Sequence, residues 1–228
     1  MFEIDNLEYT ALLQAAEQIG KTKIPGAVLE IGTRRGGSLE IIVNTLADNG
    51  DTGRLIVSVD PYGGIPFAIS DGEPVKNAYT NLVRDLTIPK LFEFIIGKGF
   101  NFVFLNMEDT EFFKRFADGI PIYDKEKQIV SQYALTYVDG QHSTNAVTAD
   151  TNFLVTRVPA GGIVVYDDCP SYDHASVEKI LFGAGFSLHC HMLPGLADRE
   201  RRRQEPNNGK HGDSAIQRCK RHGCVSFY

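Results

Sequence analysis

The chain has 228 residues, 43% hydrophobic and 23% charged, which suits one domain with a well-buried core and argues against disordered, fibrous or two-domain classes. Its formal net charge of −6 argues against nucleic acid as the main partner. Cys169, Cys190, Cys219 and Cys224 have neither CxxC spacing nor a paired-histidine pattern, no apolar run is long enough for a membrane span, and the opening MFEIDNLEYT lacks a signal-peptide layout, so a cytoplasmic protein with no membrane partner is expected.

In chain order, residues 5–19 carry Leu7, Leu12, Leu13, Ala16 and Ile19 on roughly one helical face, within an N-terminal helical segment spanning 1–24. A short buried strand over 26–32 stops at Gly32, and 37–48 is a helix with Leu39, Ile41, Ile42 and Leu46 inward. Residues 55–60 form a strand ending in Asp60, a helix lies around 72–86, a strand covers 102–105, and 111–117 is a short helix. A strand over 131–139, a helix over 144–157 and a strand over 162–167 follow, the last rich in β-branched residues like a buried parallel strand. Two further strands, 186–192 and 224–228, are separated by a polar loop.

Strand–helix units repeated in this way imply a parallel sheet with right-handed crossovers, and a loop-joined final pair adds an antiparallel edge. The expected fold class is α/β: a Rossmann-like, doubly wound, mostly parallel seven-stranded sheet with an antiparallel C-terminal strand and helices on both faces. The whole of 1–228 is read as one domain, with 193–221 as an insertion loop between the last two strands. Ligands in such sheets sit beyond the carboxyl ends of the strands, and every candidate motif falls at such an end.

The first is Glu30-Ile31-Gly32-Thr33-Arg34-Arg35-Gly36-Gly37-Ser38, where glycines let the backbone turn tightly and the following helix N-terminus favours polar or negative groups. A nicotinamide loop needs glycine where Arg34 stands, which weakens a dehydrogenase reading. Asp60 has the carboxylate to accept both hydroxyls of a ribose diol, or else it caps the turn before Pro61. Val138-Asp139-Gly140-Gln141-His142-Ser143 puts an acid and a histidine at one mouth, and Asp167-Asp168 ends the next strand. If these strands are neighbours, Asp139, Asp167 and Asp168 converge and repel one another; a hard divalent cation, Mg²⁺, Ca²⁺ or Mn²⁺, relieves that. The plainer reading is that such strand-end acids cap the helices that follow.

Glu30, Gly32 and Gly36, the D-G-Q-H-S run at 139–143, and Pro159-Ala160-Gly161-Gly162 leading to Asp167-Asp168 together resemble the class I S-adenosylmethionine-dependent methyltransferases, closest to the macrocin-type, methyltransferase-24-like small-molecule O-methyltransferases. The resemblance covers roughly residues 25 to 170. It implies methyl transfer to a hydroxyl of a small molecule of sugar or phenol type, with S-adenosylmethionine held by Glu30, Gly32, Thr33, Gly36, Ser38, Asp60 and Asp139, and Met107 and Glu108 at the adenine. It also implies Mg²⁺ on Asp139, Asp167 and Asp168, with His142 as general base beside Asp139. Relatives of this kind often form dimers, which leaves a homo-oligomer open. Two other readings stay open on the same fold: a metal-dependent hydroxylase-like activity, which shares the D-G-x-H segment, and an NAD-dependent oxidoreductase. Asp150 is read as packing or capping within its helix, without chemistry, and the charged 193–221 stretch as a solvated loop or an arginine-bearing lid.

Overall fold

A computed structural model describes Phe2 and residues 9–66, 71, 79–123, 125–190 and 224–227. The 193–221 loop therefore lies outside the described residues, as does most of the chain before Tyr9.

Four strands, β1 (Ala27–Ile31), β2 (Leu55–Val59), β6 (Tyr133–Val138) and β7 (Ile163–Tyr166), are buried at every position. A strand covered on both faces is mostly apolar, which is why these segments are rich in Val, Ile, Leu and Tyr, with Glu30, Ser58 and Thr136 as buried polar exceptions. With β3 (Asn101–Leu105), β8 (Ser187–Cys190) and β9 (Cys224–Phe227) they form a sheet in the order β3-β2-β1-β6-β7-β9-β8. The first five are parallel, and β9 runs antiparallel to both β7 and β8. The chain leaves β1 for β2 on one side, while β6 joins β1 on the other. That reversal of direction opens a crevice beyond the carboxyl ends of β1 and β6.

Alternate residues serve opposite faces. Val28, Ile56, Leu135 and Val165 pack under α1 (Thr10–Thr22), α2 (Gly37–Asp48) and α3 (Asn81–Gly97), whereas Leu29, Val57, Tyr133 and Val164 pack under α4 (Asp109–Arg115), α5 (Thr144–Leu154) and α6 (His174–Gly183). None of the helices among the described residues is long and apolar enough to cross a membrane.

Three elements differ from expectation. The helix placed around 72–86 is α3, which starts at Asn81 under a Thr80 cap and continues through Pro89 to Gly97, while 72–78 lie outside the described residues. Its apolar residues ring the helix without a stripe, so periodicity does not mark its bounds. Between α4 and β6 the chain forms a separate antiparallel hairpin, β4 (Ile120–Tyr123) with β5 (Lys127–Val130), where only a connection was expected. α6 fills the stretch between β7 and β8, begun by Asp173, whose carboxylate accepts from the Ala175 amide and the Ser176 hydroxyl.

Phe112 anchors α4 onto the second face: it is fully buried and meets Phe153 of α5 edge-on at 5.6 Å. Phe112→Ala is expected to cost about 3–5 kcal/mol of stability, read as a lower urea midpoint at unchanged slope.

A candidate cofactor and acid–histidine site

The crevice between β1 and β6 is lined on one side by the glycine loop. Gly32 sits at φ 93°, and a Cβ there would come within 2.0 Å of the Asp139 carbonyl oxygen, so any side chain would force the two strand ends apart. The same junction is tied by the Asp139 amide donating to the Ile31 carbonyl at 2.8 Å. Gly36 caps the N-terminus of α2 at φ 79°, with Leu91 of α3 too close for a Cβ. Arg34 takes the left-handed conformation, φ 44°, at the position where a nicotinamide loop would have glycine. Its backbone is held on both sides: the amide donates to Asp60 and the carbonyl accepts from the Tyr62 hydroxyl, while the side chain stays exposed.

Asp60 is buried, and its Oδ2 accepts the amides of both Thr33 and Arg34 at 2.8 Å. Burial lifts its carboxyl to about 6 despite those two bonds. One oxygen of the predicted ribose ligand thus fastens the loop. Glu30, Thr33 and Ser38 lie beneath the loop, not on its surface. Glu30 accepts the hydroxyls of Ser38 and Ser58, and Thr33 is hydrogen-bonded to Ser58. These predicted cofactor side chains spend their polar atoms on one another, which leaves backbone groups to face a ligand. Met107 packs partly against the second core face, and exposed Glu108 opens α4.

On the far side of the crevice, neighbouring strands β6 and β7 bring Asp139, His142 and Asp168 together. The imidazole of His142 is buried, with Nε2 3.3 Å from Asp139 Oδ1 and Nδ1 2.9 Å from Asp168 Oδ2. The Nδ1 approach is a charge contact without an aligned hydrogen bond. Burial alone would lower the imidazolium's pKa, but the two carboxylates outweigh it and lift it to about 10. In this arrangement His142 holds its proton at neutral pH and serves as a cation between two acids; as a general base it would first have to surrender that proton. Asp168 is held below the usual carboxylate range by the His142 contact and adopts φ 45°, a left-handed backbone that residues with a Cβ rarely accept.

One oxygen of Asp167, Oδ2, accepts the Tyr137 hydroxyl at 2.9 Å, and Asp139 acts on the same tyrosine. Among the described residues no three His, Cys, Asp or Glu side chains group as a metal site. As the side chains stand, the predicted Mg²⁺ set of Asp139, Asp167 and Asp168 is not assembled: the imidazole lies between Asp139 and Asp168, and one oxygen of Asp167 takes the Tyr137 hydroxyl.

Sequence reasoning gave no role to Asp71 or Asp109 and read Asp150 as packing or capping within its helix. Asp71 accepts the Thr144 amide and hydroxyl at the start of α5, from 73 residues away. Asp109 approaches the Gly140 turn, and Asp150 is buried on α5; the signal for the latter was an acid on the stripe otherwise made by Val147, Thr151 and Leu154.

Glu30 provides a pH test of the loop's foundation. Burial raises its carboxyl from 4.5 to about 8, so the fold favours the protonated form. Its stabilisation is complete below the unfolded value and is lost as pH rises through about 8. Glu30→Gln should therefore gain melting temperature relative to the parent protein between pH 5 and pH 8.5, and parallel melting curves would refute the assignment.

The sequence matches the methyltransferase-domain family over residues 29–169, from β1 to just past β7. No curated protein sequence matches the chain. The fold is similar to that of the O-methyltransferase NovP, at 18% identity and a TM-score of 0.56, covering 95% of this chain and 77% of that one. It is equally similar to the calicheamicin methyltransferase CalS11, again at 18% identity and a TM-score of 0.56, covering 82% of this chain and 75% of the other. The matched residues take in the glycine loop, Asp60, the corner after β3, the D-G-Q-H turn and both acids after β7, and the chain belongs to the methyltransferase-domain family.

Proposed function

We propose that this single domain is an S-adenosylmethionine-dependent O-methyltransferase acting in the cytoplasm on a hydroxylated small molecule of sugar or phenol type. The observation that carries the reading is the meeting, in one crevice, of a glycine loop tied to Asp60 and an Asp139–His142–Asp168 cluster. Likeness in fold to an O-methyltransferase and to a calicheamicin methyltransferase supports it.

The cofactor fits the loop. Gly32 keeps the floor of the crevice free of side chains, and the Gly32–Gly36 backbone with the second oxygen of Asp60 would hold the ribose end. Met107 and Glu108 would border the adenine. When bound, S-adenosylmethionine supplies a methyl group on a sulfonium, which reacts by in-line displacement at an oxygen. The protein's share is alignment of that oxygen, an effect worth roughly 7–11 kcal/mol in favourable cases. The acceptor must also lose its hydroxyl proton. His142, charged and fixed between Asp139 and Asp168, holds Asp168 as a carboxylate, and Asp168 is the more exposed of the two acids. In this reading the carboxylate of Asp168 takes the proton as the new C–O bond forms, and His142 orients it.

S-adenosylhomocysteine should bind with micromolar affinity in calorimetry, and Asp60→Ala should weaken it at least tenfold by freeing the loop. His142→Ala and Asp168→Asn should lower kcat by roughly 10²–10⁴ with hydroxylated acceptors while changing S-adenosylhomocysteine affinity little. Turnover should survive EDTA. Loss of turnover in EDTA with recovery in Mg²⁺ would mean that the imidazole yields its place to an ion, and no binding of S-adenosylhomocysteine under any condition would sink the methyltransferase reading.

A further inference from the structure

α5 turns an acid into the core. Asp150 is fully buried, and neither carboxylate oxygen has a hydrogen-bond donor among the described residues. An ionised carboxylate in that position would be strongly disfavoured. The neighbouring hydroxyls are already engaged: that of Thr151 bonds the Val147 carbonyl and lies 3.0 Å from the Tyr166 hydroxyl. The imidazole of His142 also faces Asp150, but its nitrogens are directed at Asp139 and Asp168.

What meets Asp150 is the carboxyl of Asp109, in the first turn of α4, with Glu108 the other charge near Asp109. Two carboxylates offer each other only lone pairs, so their contact becomes a hydrogen bond only when one carries a proton. Burial and then Asp109 push Asp150 well above the usual carboxylate range, and burial pushes Asp109 up as well. Asp109 in turn sits at the start of α4 beside the Gly140 turn. Its Oδ1 accepts the Thr110 amide at 2.5 Å, and its Oδ2 would lie 3.8 Å from a Cβ on Gly140.

We propose that Asp109 and Asp150 share one proton across the α4–α5 junction and act as a positioning pair, clamping the corner at 107–109 against the Gly140–His142 turn so that cofactor affinity depends on that proton. The clamp rests on the cofactor reading of this corner given above. When the shared proton leaves, the two charges repel one another and the corner parts from α5. Affinity is therefore lost as pH rises.

Two measurements on the intact protein test this. Carbon-13 titration of aspartate carboxyls, without any ligand, should show a carboxyl still protonated at neutral pH, absent from Asp150→Asn. S-adenosylhomocysteine affinity, measured by calorimetry from pH 6 to 10, should fall at least tenfold further in the parent protein than in Asp150→Asn, whose amide donates to Asp109 at every pH. Glu30 and Asp60 titrate alike in both proteins, so the ratio of the two affinities is the readout. An Asp150 ionised at pH 7, or affinities that fall in parallel, would overturn the proposal. If the parent protein binds no S-adenosylhomocysteine at any pH, the cofactor reading and the clamp fail together, and the carboxyl titration alone decides whether the pair exists.

Discussion

Everything at the mouth of this sheet depends on how closely the ends of β1 and β6 approach. Gly32 lies against the Asp139 carbonyl with no room for a Cβ, and the Asp139 amide is bonded to Ile31. This one contact joins the loop that would hold a cofactor to the turn that presents Asp139 and His142. Asp60 reinforces it from the β2 side by gathering two consecutive loop amides on a single oxygen. A loop held this way needs little reorganisation when a ligand arrives, which lowers the entropic cost of binding.

A second constraint is charge. Acids crowd the strand ends and the helices around the crevice, and they are accommodated in different ways. Glu30 is bonded by two hydroxyls and Asp60 by two amides; Asp139 and Asp168 take the two sides of one imidazole, Asp167 takes a tyrosine hydroxyl, and Asp109 and Asp150 face each other. A crowd of carboxylates in sequence is therefore weak evidence for a metal, because protons and side-chain donors resolve the same repulsion. What separates the cases is the placement of donors, which only the three-dimensional arrangement carries.

The same distinction marks how much was legible beforehand. The strands at 27–31, 55–59, 133–138 and 163–166 were readable because burial on both faces demands largely apolar runs, and the mouth followed from their ends. α3 was misplaced because its apolar residues surround the helix and Pro89 reads as a stop. The β4–β5 hairpin stands outside the main sheet, so nothing forces a strong alternating pattern on it. At the site, the residue types were visible but their directions were not: Thr33, Ser38 and Glu30 look like ligand contacts until they are seen bonded into one buried network. For His142 the sequence shows Asp139 three residues away, but not that β7 brings Asp168 to its other nitrogen. Asp150, read as packing or capping within its helix, is buried there, but its lack of a donor cannot be read from a helical wheel.

The order of strands also bears on how the chain is made. β7, at Ile163–Tyr166, finds its outer partner in β9, at Cys224–Phe227, which is synthesised after β8 and inserts between the two. Until that insertion the growing chain carries β7 as a bare, wholly apolar edge beside the finished half of the sheet. Such an edge is a template for pairing with another nascent chain. The interval before β9 docks is thus when the edge of β7 is open to pairing with another chain, and when a chaperone would have most to shield.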